Sequence, residues 1–292
     1  VGEWPSESPA YLCLKKKSRT LFAVSEKEDH GAAIAYDVGE EGFREIARAD
    51  THGGYTTFIH WDEKNELIYV ASYLGGFAKV YRVKGNQMEQ VGELNHTSEA
   101  EKLGKASHVH CAIGTPDGQY LCVIDTGLDL LRLYDIKDGF SPKAELCFPE
   151  GSGPRHLMFH PSGGYAYLIT ESSYEAFVYA YTPNKDMPLR QLQRFRLPPE
   201  GFGSAAGVRV SPNGHYVAFS NRAANALCLY SIDEQDGTLR HCDQQTVPEG
   251  CPRDFCFTPD SRSILVGLQE TGLLCAYQIR GEKLEKLSCS LE

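Results

Sequence analysis

The stretch GPRHLMFHPSGGYAYLITE, residues 153–171, holds an arginine and a histidine at the start of one strand pattern and a glutamate at the end of the next. Strand interiors favour β-branched and aromatic side chains, so Arg155, His156 and Glu171 are not the choices of sheet packing alone. Their types suit chemistry. A guanidinium fork grips a carboxylate or phosphate through two parallel hydrogen bonds, and an imidazole or carboxylate moves protons. Whether they act together depends on the elements that carry them.

Those elements belong to a repeat. The unit is strand, polar turn, strand, short turn, strand and a more variable fourth strand. Its other copies are AYLCLKKKSRTLFAVSE, YTTFIHWDEKNELIYVASY, HCAIGTPDGQYLCVIDT, AAGVRVSPNGHYVAFSNR and PRDFCFTPDSRSILVGLQ. Aligned on the residue closing the second strand, the six copies end at Glu26, Tyr73, Thr126, Glu171, Arg222 and Gln269, with spacings of 47, 53, 45, 51 and 47. A period of about 50 with four strands per unit and turns such as SPNG and TPDG predicts an all-β fold, a β-propeller of six complete four-stranded repeats. The repeats fall at about 9–50, 54–95, 107–149, 153–197, 205–248 and 251–291 of a single domain spanning 1–292. The segment NHTSEAEKLGKA is expected to form one short surface helix.

Composition sets the outer limits. With 292 residues, 41% hydrophobic and 23% charged, the chain can bury a large core. A net charge of −10 argues against sequence-independent nucleic-acid binding, which needs an excess of lysine and arginine. No apolar run approaches the roughly 20 residues that span a bilayer, and the expected compartment is the cytoplasm. Most of the ten cysteines, among them Cys13, Cys122, Cys228, Cys256 and Cys275, lie in strand patterns and are expected to be small reduced hydrophobes. No second close pair accompanies Cys251 and Cys256, so neither a metal nor another cofactor is expected.

Three stretches carry a family likeness: SHVHCAIGTPDGQYLCVIDTGLDLLRLYD, GSGPRHLMFHPSGGYAYLITE and GCPRDFCFTPDSRSILVGLQ. The chain resembles the bacterial-type 6-phosphogluconolactonase and fungal carboxymuconate-lactonising enzyme family over nearly its whole length. The resemblance implies a seven-bladed propeller whose seventh blade combines strands from both ends of the chain. Six visible repeats would then be either a truncated member or a six-bladed variant. Carried over by motif, the family's functional residues fall on His110, Arg155, Glu171 and Arg253. His108 shares the HVH element, but His110 keeps the better distance to the following TPDG turn.

First strands of propeller blades line the central channel, so equivalent repeat positions converge on one mouth. His110, Arg155, Arg253, Glu26, Tyr73, Glu171, Arg222 and Gln269 hold such positions. Opening a sugar lactone needs an activated water, a stabilised oxyanion and a proton for the leaving ring oxygen. His110 or Glu171 is expected to activate water, Arg155 to stabilise the oxyanion, and Arg253 with Arg222 to hold an anionic end. Flanking arginines make a carboxylate a weaker proton acceptor, which favours His110 as the base. Tyr73, Glu26, Gln269 and His156 are pocket candidates. The structural alternatives are a strand-start histidine at 110, an intrablade salt bridge between Arg155 and Glu171, and a pairing of Arg253 with Asp254 or Glu249.

Other constellations carry less. His156 and His160 are four apart on a strand, not on a helical metal face. Asp125 and Asp129 lack the closing glutamate of a calcium loop, and turn capping explains them better. No G-x-S-x-G elbow is present. The leading expectation is metal-independent hydrolysis of a phosphorylated sugar lactone, 6-phosphogluconolactone, in the pentose phosphate route. Its alternatives are a lactonase or cycloisomerase for another carboxylated lactone, and a non-catalytic interaction scaffold, since fold does not fix function. The expected partner is a small anionic lactone, without nucleic acid or membrane, and the expected state is a monomer.

Overall fold

The turns build the hairpins. In TPDG, Thr115 Oγ1 donates to Asp117 Oδ1 at 2.7 Å and accepts the Tyr120 N–H at 3.0 Å, while the Gly118 N–H reaches the Thr115 carbonyl at 2.8 Å. Gly118 sits at φ 72°, where a side chain would be strained. SPNG repeats the device through Ser211, Asn213 and Gly214, the last at φ 77°. Each such turn ends one strand and starts the next in antiparallel register.

The computed structural model describes residues 6–198 and 204–289. Among the described residues are six four-stranded antiparallel sheets, each with its strands in chain order. They span 12–50, 56–95, 109–147, 154–196, 205–246 and 252–289, and are blades 1 to 6 of an all-β propeller. The chain divides into two compact units, Val1–Pro149 with blades 1 to 3 and Glu150–Glu292 with blades 4 to 6.

Within the second unit the blades stack face to face. Tyr167, Ile169 and Val178 of blade 4 pack with Val208, Val217 and Phe219 of blade 5. The opposite face of blade 5, through Ala218, Leu227 and Leu229, packs on Phe255, Ile264 and Val266 of blade 6. A blade covered on both sides needs apolar residues on both faces, which is why Tyr216–Asn221 is buried almost continuously. Each fully buried Val, Leu or Phe contributes about 1.5–3 kcal/mol. In the first unit Phe58, Ile68 and Tyr69 of blade 2 are buried in the same manner.

Helix Thr97–Lys102 forms where a short helix was expected, anchored by Ala100 against Leu128 and Leu130. No helix among the described residues is long and apolar enough to cross a membrane. Two of the cysteines depart from expectation: Cys256 is exposed on its strand instead of packed as a small hydrophobe. Cys275 is disulfide-bonded, not a reduced hydrophobe. Its strand, Leu274–Arg280, pairs with Lys283–Cys289, and an apolar pattern does not reveal that cross-strand register. Cys13, Cys111, Cys122, Cys147, Cys228, Cys242, Cys251 and Cys256 are free thiols.

Candidate active site

One backbone device recurs at the start of the blades. Before the first strand the chain passes through a left-handed residue: Ser8, Tyr55, Gly153, Ser204 and Cys251 have φ of 46°, 47°, 64°, 85° and 44°. The carbonyl there accepts the N–H of the residue that closes the second strand. These bonds run from Glu26 to Ser8 (2.9 Å), Tyr73 to Tyr55 (2.8 Å), Glu171 to Gly153 (2.6 Å), Arg222 to Ser204 (3.0 Å) and Gln269 to Cys251 (3.0 Å). In blade 3 the corresponding bond joins Thr126 to His108 (2.9 Å). Two residues further on, the register slips. Thr57, His110, Arg155 and Arg253 are the extra residues of β-bulges in blades 2, 3, 4 and 6, and Ala206 lies in the bulge of blade 5. A bulge bends the strand and re-aims one side chain. Two repeat positions therefore carry every expected site residue except His156, which follows Arg155.

In the second unit these positions meet. Arg155 Nε donates to Glu171 Oε2 at 2.9 Å, and Arg222 Nη2 donates to Glu171 Oε1 at 2.7 Å. Arg155 also donates through Nη1 to the Ala206 carbonyl, and that nitrogen lies 3.3 Å from His156 Nε2. Arg253 Nη1 donates to Gln269 Oε1 at 3.2 Å. The Arg155 side chain is only 4% exposed, against 29% for Glu171. Burial, with the positive charges of Arg222 and Arg253 nearby, brings the Arg155 guanidinium down to about 10 despite the opposing pull of Glu171, so it stays charged at neutral pH. Two guanidiniums thus hold the Glu171 carboxylate, and the charges of Arg253 and Asp254 also reach Arg155.

The acidic residues near Arg253 each accept from another donor as well. Asp254 accepts from Arg209 Nη2 at 2.6 Å, and Glu249 accepts from Lys286. The intrablade bridge of Arg155 and Glu171 does form, and Arg222 extends it to the next blade.

In the first unit, His110 is buried at the bulge of blade 3, with its ring edge-on to Tyr73 at 5.8 Å. His108 stacks on the same tyrosine at 4.3 Å. Asp125 fixes this stretch: Oδ1 accepts the N–H groups of His108, Gly127 and Leu128, and Oδ2 accepts from Ser107 at 2.6 Å and bonds His96 Nδ1 at 3.0 Å. Turn capping is therefore only half of its work. Glu26 is half-buried on blade 1, tied through its backbone to Ser8. Sequence reasoning passed over Thr57. The period of about 50 held the signal, because Thr57 stands 53 residues before His110 just as Tyr73 stands 53 before Thr126.

The comparisons agree with this architecture. The profile of the family described as "Lactonase, 7-bladed beta-propeller" matches residues 5–288. A 6-phosphogluconolactonase of Bacillus subtilis is 27% identical over 93% of this chain and 80% of its own length. An uncharacterized protein of Lactococcus lactis is 30% identical over 97% of the chain and 84% of its own length. The structure of a periplasmic gluconolactonase from Pseudomonas aeruginosa superposes with a TM-score of 0.87 at 28% identity, covering 98% of this chain and 86% of that one. A match across nearly all of the chain, carried by the same repeated blade, means that the protein belongs to the lactonase family of β-propellers, hydrolases of lactone esters.

Proposed function

We propose that the chain hydrolyses 6-phosphogluconolactone to 6-phosphogluconate without a metal, by general acid/base catalysis. The observation that carries this reading is the pair Arg155 and Arg222, both donating to Glu171, with the charge of Arg253 near enough to act on Arg155. Such buried or half-buried guanidiniums suit a substrate with an anionic end and a carbonyl that becomes an oxyanion.

Water adds to the lactone carbonyl as its proton passes to a base, the oxyanion collapses, and the ring oxygen leaves with a proton. His110 is the base in this scheme, for it holds in its blade the bulge position that Arg155 and Arg253 hold in theirs. Glu171, whose two oxygens both accept from arginines, holds Arg155 and Arg222 in place and is the second candidate base. Arg155 stabilises the oxyanion, and Arg222 and Arg253 hold the phosphate. Tyr73, Glu26, Gln269 and His156 are the further substrate-binding candidates. We further propose a single propeller domain acting as a cytoplasmic monomer, independent of nucleic acid and membrane. Placement in the cytoplasm has one feature against it, the disulfide at Cys275, since that compartment keeps most thiols reduced.

The same guanidiniums would accept another carboxylated lactone, which is the second reading. A pH-indicator stopped-flow assay on freshly generated 6-phosphogluconolactone separates them, with buffer, Arg155→Ala and unphosphorylated gluconolactone as comparisons. Turnover well above buffer is expected, with kcat reduced about 100-fold or more in Arg155→Ala, the usual cost of losing an oxyanion donor. Equal kcat/KM for the two lactones would remove the phosphate from the assignment.

A further inference from the structure

The bulge that presents His110, Arg155 and Arg253 presents a fourth polar residue that the scheme above does not use. Thr57 is the extra residue between the pairs Thr56–Ser72 and Phe58–Ala71, the place that His110 occupies between Val109–Asp125 and Cys111–Ile124. Both lie in the first unit, where their strands, Thr56–Asp62 and Val109–Gly114, pack against each other. Thr57 is 7% exposed, and its Oγ1 is buried without a hydrogen-bond partner in the protein. Its neighbour Thr56 shows the ordinary solution, a 2.8 Å hydroxyl bond to Thr51. A buried hydroxyl left unpaired costs about 1–3 kcal/mol, and native proteins rarely leave one without a use.

We propose that Thr57 is a substrate-contacting residue, its hydroxyl exchanging a hydrogen bond with a ring hydroxyl of the sugar lactone, and that it selects for a polyhydroxylated ring. The proposal rests on the lactonase reading above. A threonine hydroxyl is neutral and both donates and accepts, so it can exchange a hydrogen bond with an alcohol, while the arginines supply the charge that suits a phosphate or an oxyanion. Blade 5 shows the contrast. Ala206 in its bulge contributes only its carbonyl, which holds Arg155. A site that pairs a buried group with a substrate hydroxyl discriminates through the cost of leaving that group unpaired.

The test compares Thr57→Val, which keeps the shape and removes the hydroxyl, with Thr57→Ser, which keeps the hydroxyl. For 6-phosphogluconolactone, KM should rise about 3- to 10-fold in Thr57→Val with kcat within about twofold, the loss expected for one neutral hydrogen bond. Thr57→Ser should return KM to within about twofold. The melting temperature of Thr57→Val should equal or exceed that of the wild type, because no protein partner is lost. An unchanged KM, or a valine variant that melts well below the wild type, would overturn the proposal, the second because it reveals a structural bond. Calorimetric titration with 6-phosphogluconate separates this from failure of the parent reading. A wild type that binds the acid without turning over the lactone sinks the hydrolase assignment, and weaker binding by Thr57→Val would still support Thr57. A wild type that does neither sinks both.

Discussion

Arg155 is nearly fully buried and keeps its charge because Glu171, the Ala206 carbonyl and neighbouring strands leave it no better option. Lysine could not replace it, since a point charge cannot serve a carboxylate and a carbonyl along two directions. Asp125 plays the matching part beside the histidines. Burial pushes its carboxyl up, but hydrogen bonds from His96, Ser107 and the His108 N–H outweigh that and hold it below its ordinary value of 3.8. A carboxylate whose folded pKa is depressed adds stability that is present above the unfolded value and is lost as pH falls through the folded one. His96, which also bonds Tyr134 at 2.7 Å, is the imidazole facing it. Urea midpoints measured from pH 7 to pH 3 should therefore fall more steeply below about pH 4 in the wild type than in Asp125→Asn. Parallel curves would mean that Asp125 contributes nothing to acid lability.

At the scale of the element, the unit of function is the left-handed residue with its bulge, and Asn225 shows how one turn serves two site arginines. It lies in the hairpin that follows Arg222, at φ 47°, and its Oδ1 accepts the Cys251 N–H at 2.7 Å, two residues before Arg253. Asn225→Ala removes that acceptor and places a poorly suited residue in the left-handed region, at a cost of about 1–3 kcal/mol. Unfolding stability should fall by that amount and KM should rise, while Asn225→Asp, which keeps the acceptor, stays near the wild type. A stable alanine variant with unchanged KM would show that the turn does not position Arg253. This level was only half legible in the sequence. Hydrophobic alternation and the SPNG and TPDG turns are local, so six blades and the equivalence of Glu26, Tyr73, Glu171, Arg222 and Gln269 could be read directly. A bulge is a slip between two strands, and no residue type announces it. Arg155 and His110 stood out through their chemistry, whereas Thr57 holds the same place with an ordinary strand residue. The bond at Cys275 was hidden for the same reason, as cross-strand register decides it.

Over the whole molecule, a net charge of −10 coexists with two guanidiniums on Glu171 and the charge of a third, Arg253, acting on Arg155, so positive charge is gathered locally on an acidic chain. Burial lowers the Arg155 pKa first, and the charges of Arg222 and Arg253 lower it further against the pull of Glu171. An anion that settles among the guanidiniums binds only the folded state and stabilises it by mass action, about 2.7 kcal/mol at a hundred times its Kd. For a chain of this size that corresponds to roughly 4–5 °C in melting temperature. Saturating 6-phosphogluconate should produce a shift of this order, and gluconate, with its carboxylate but no phosphate, a smaller one. Arg155→Ala and Arg222→Ala should each lose most of the shift, whatever their own baseline stability. An equal shift for both acids would assign the cluster to the carboxylate and favour the second reading of the substrate. A shift that survives both substitutions would place the anion elsewhere on the protein.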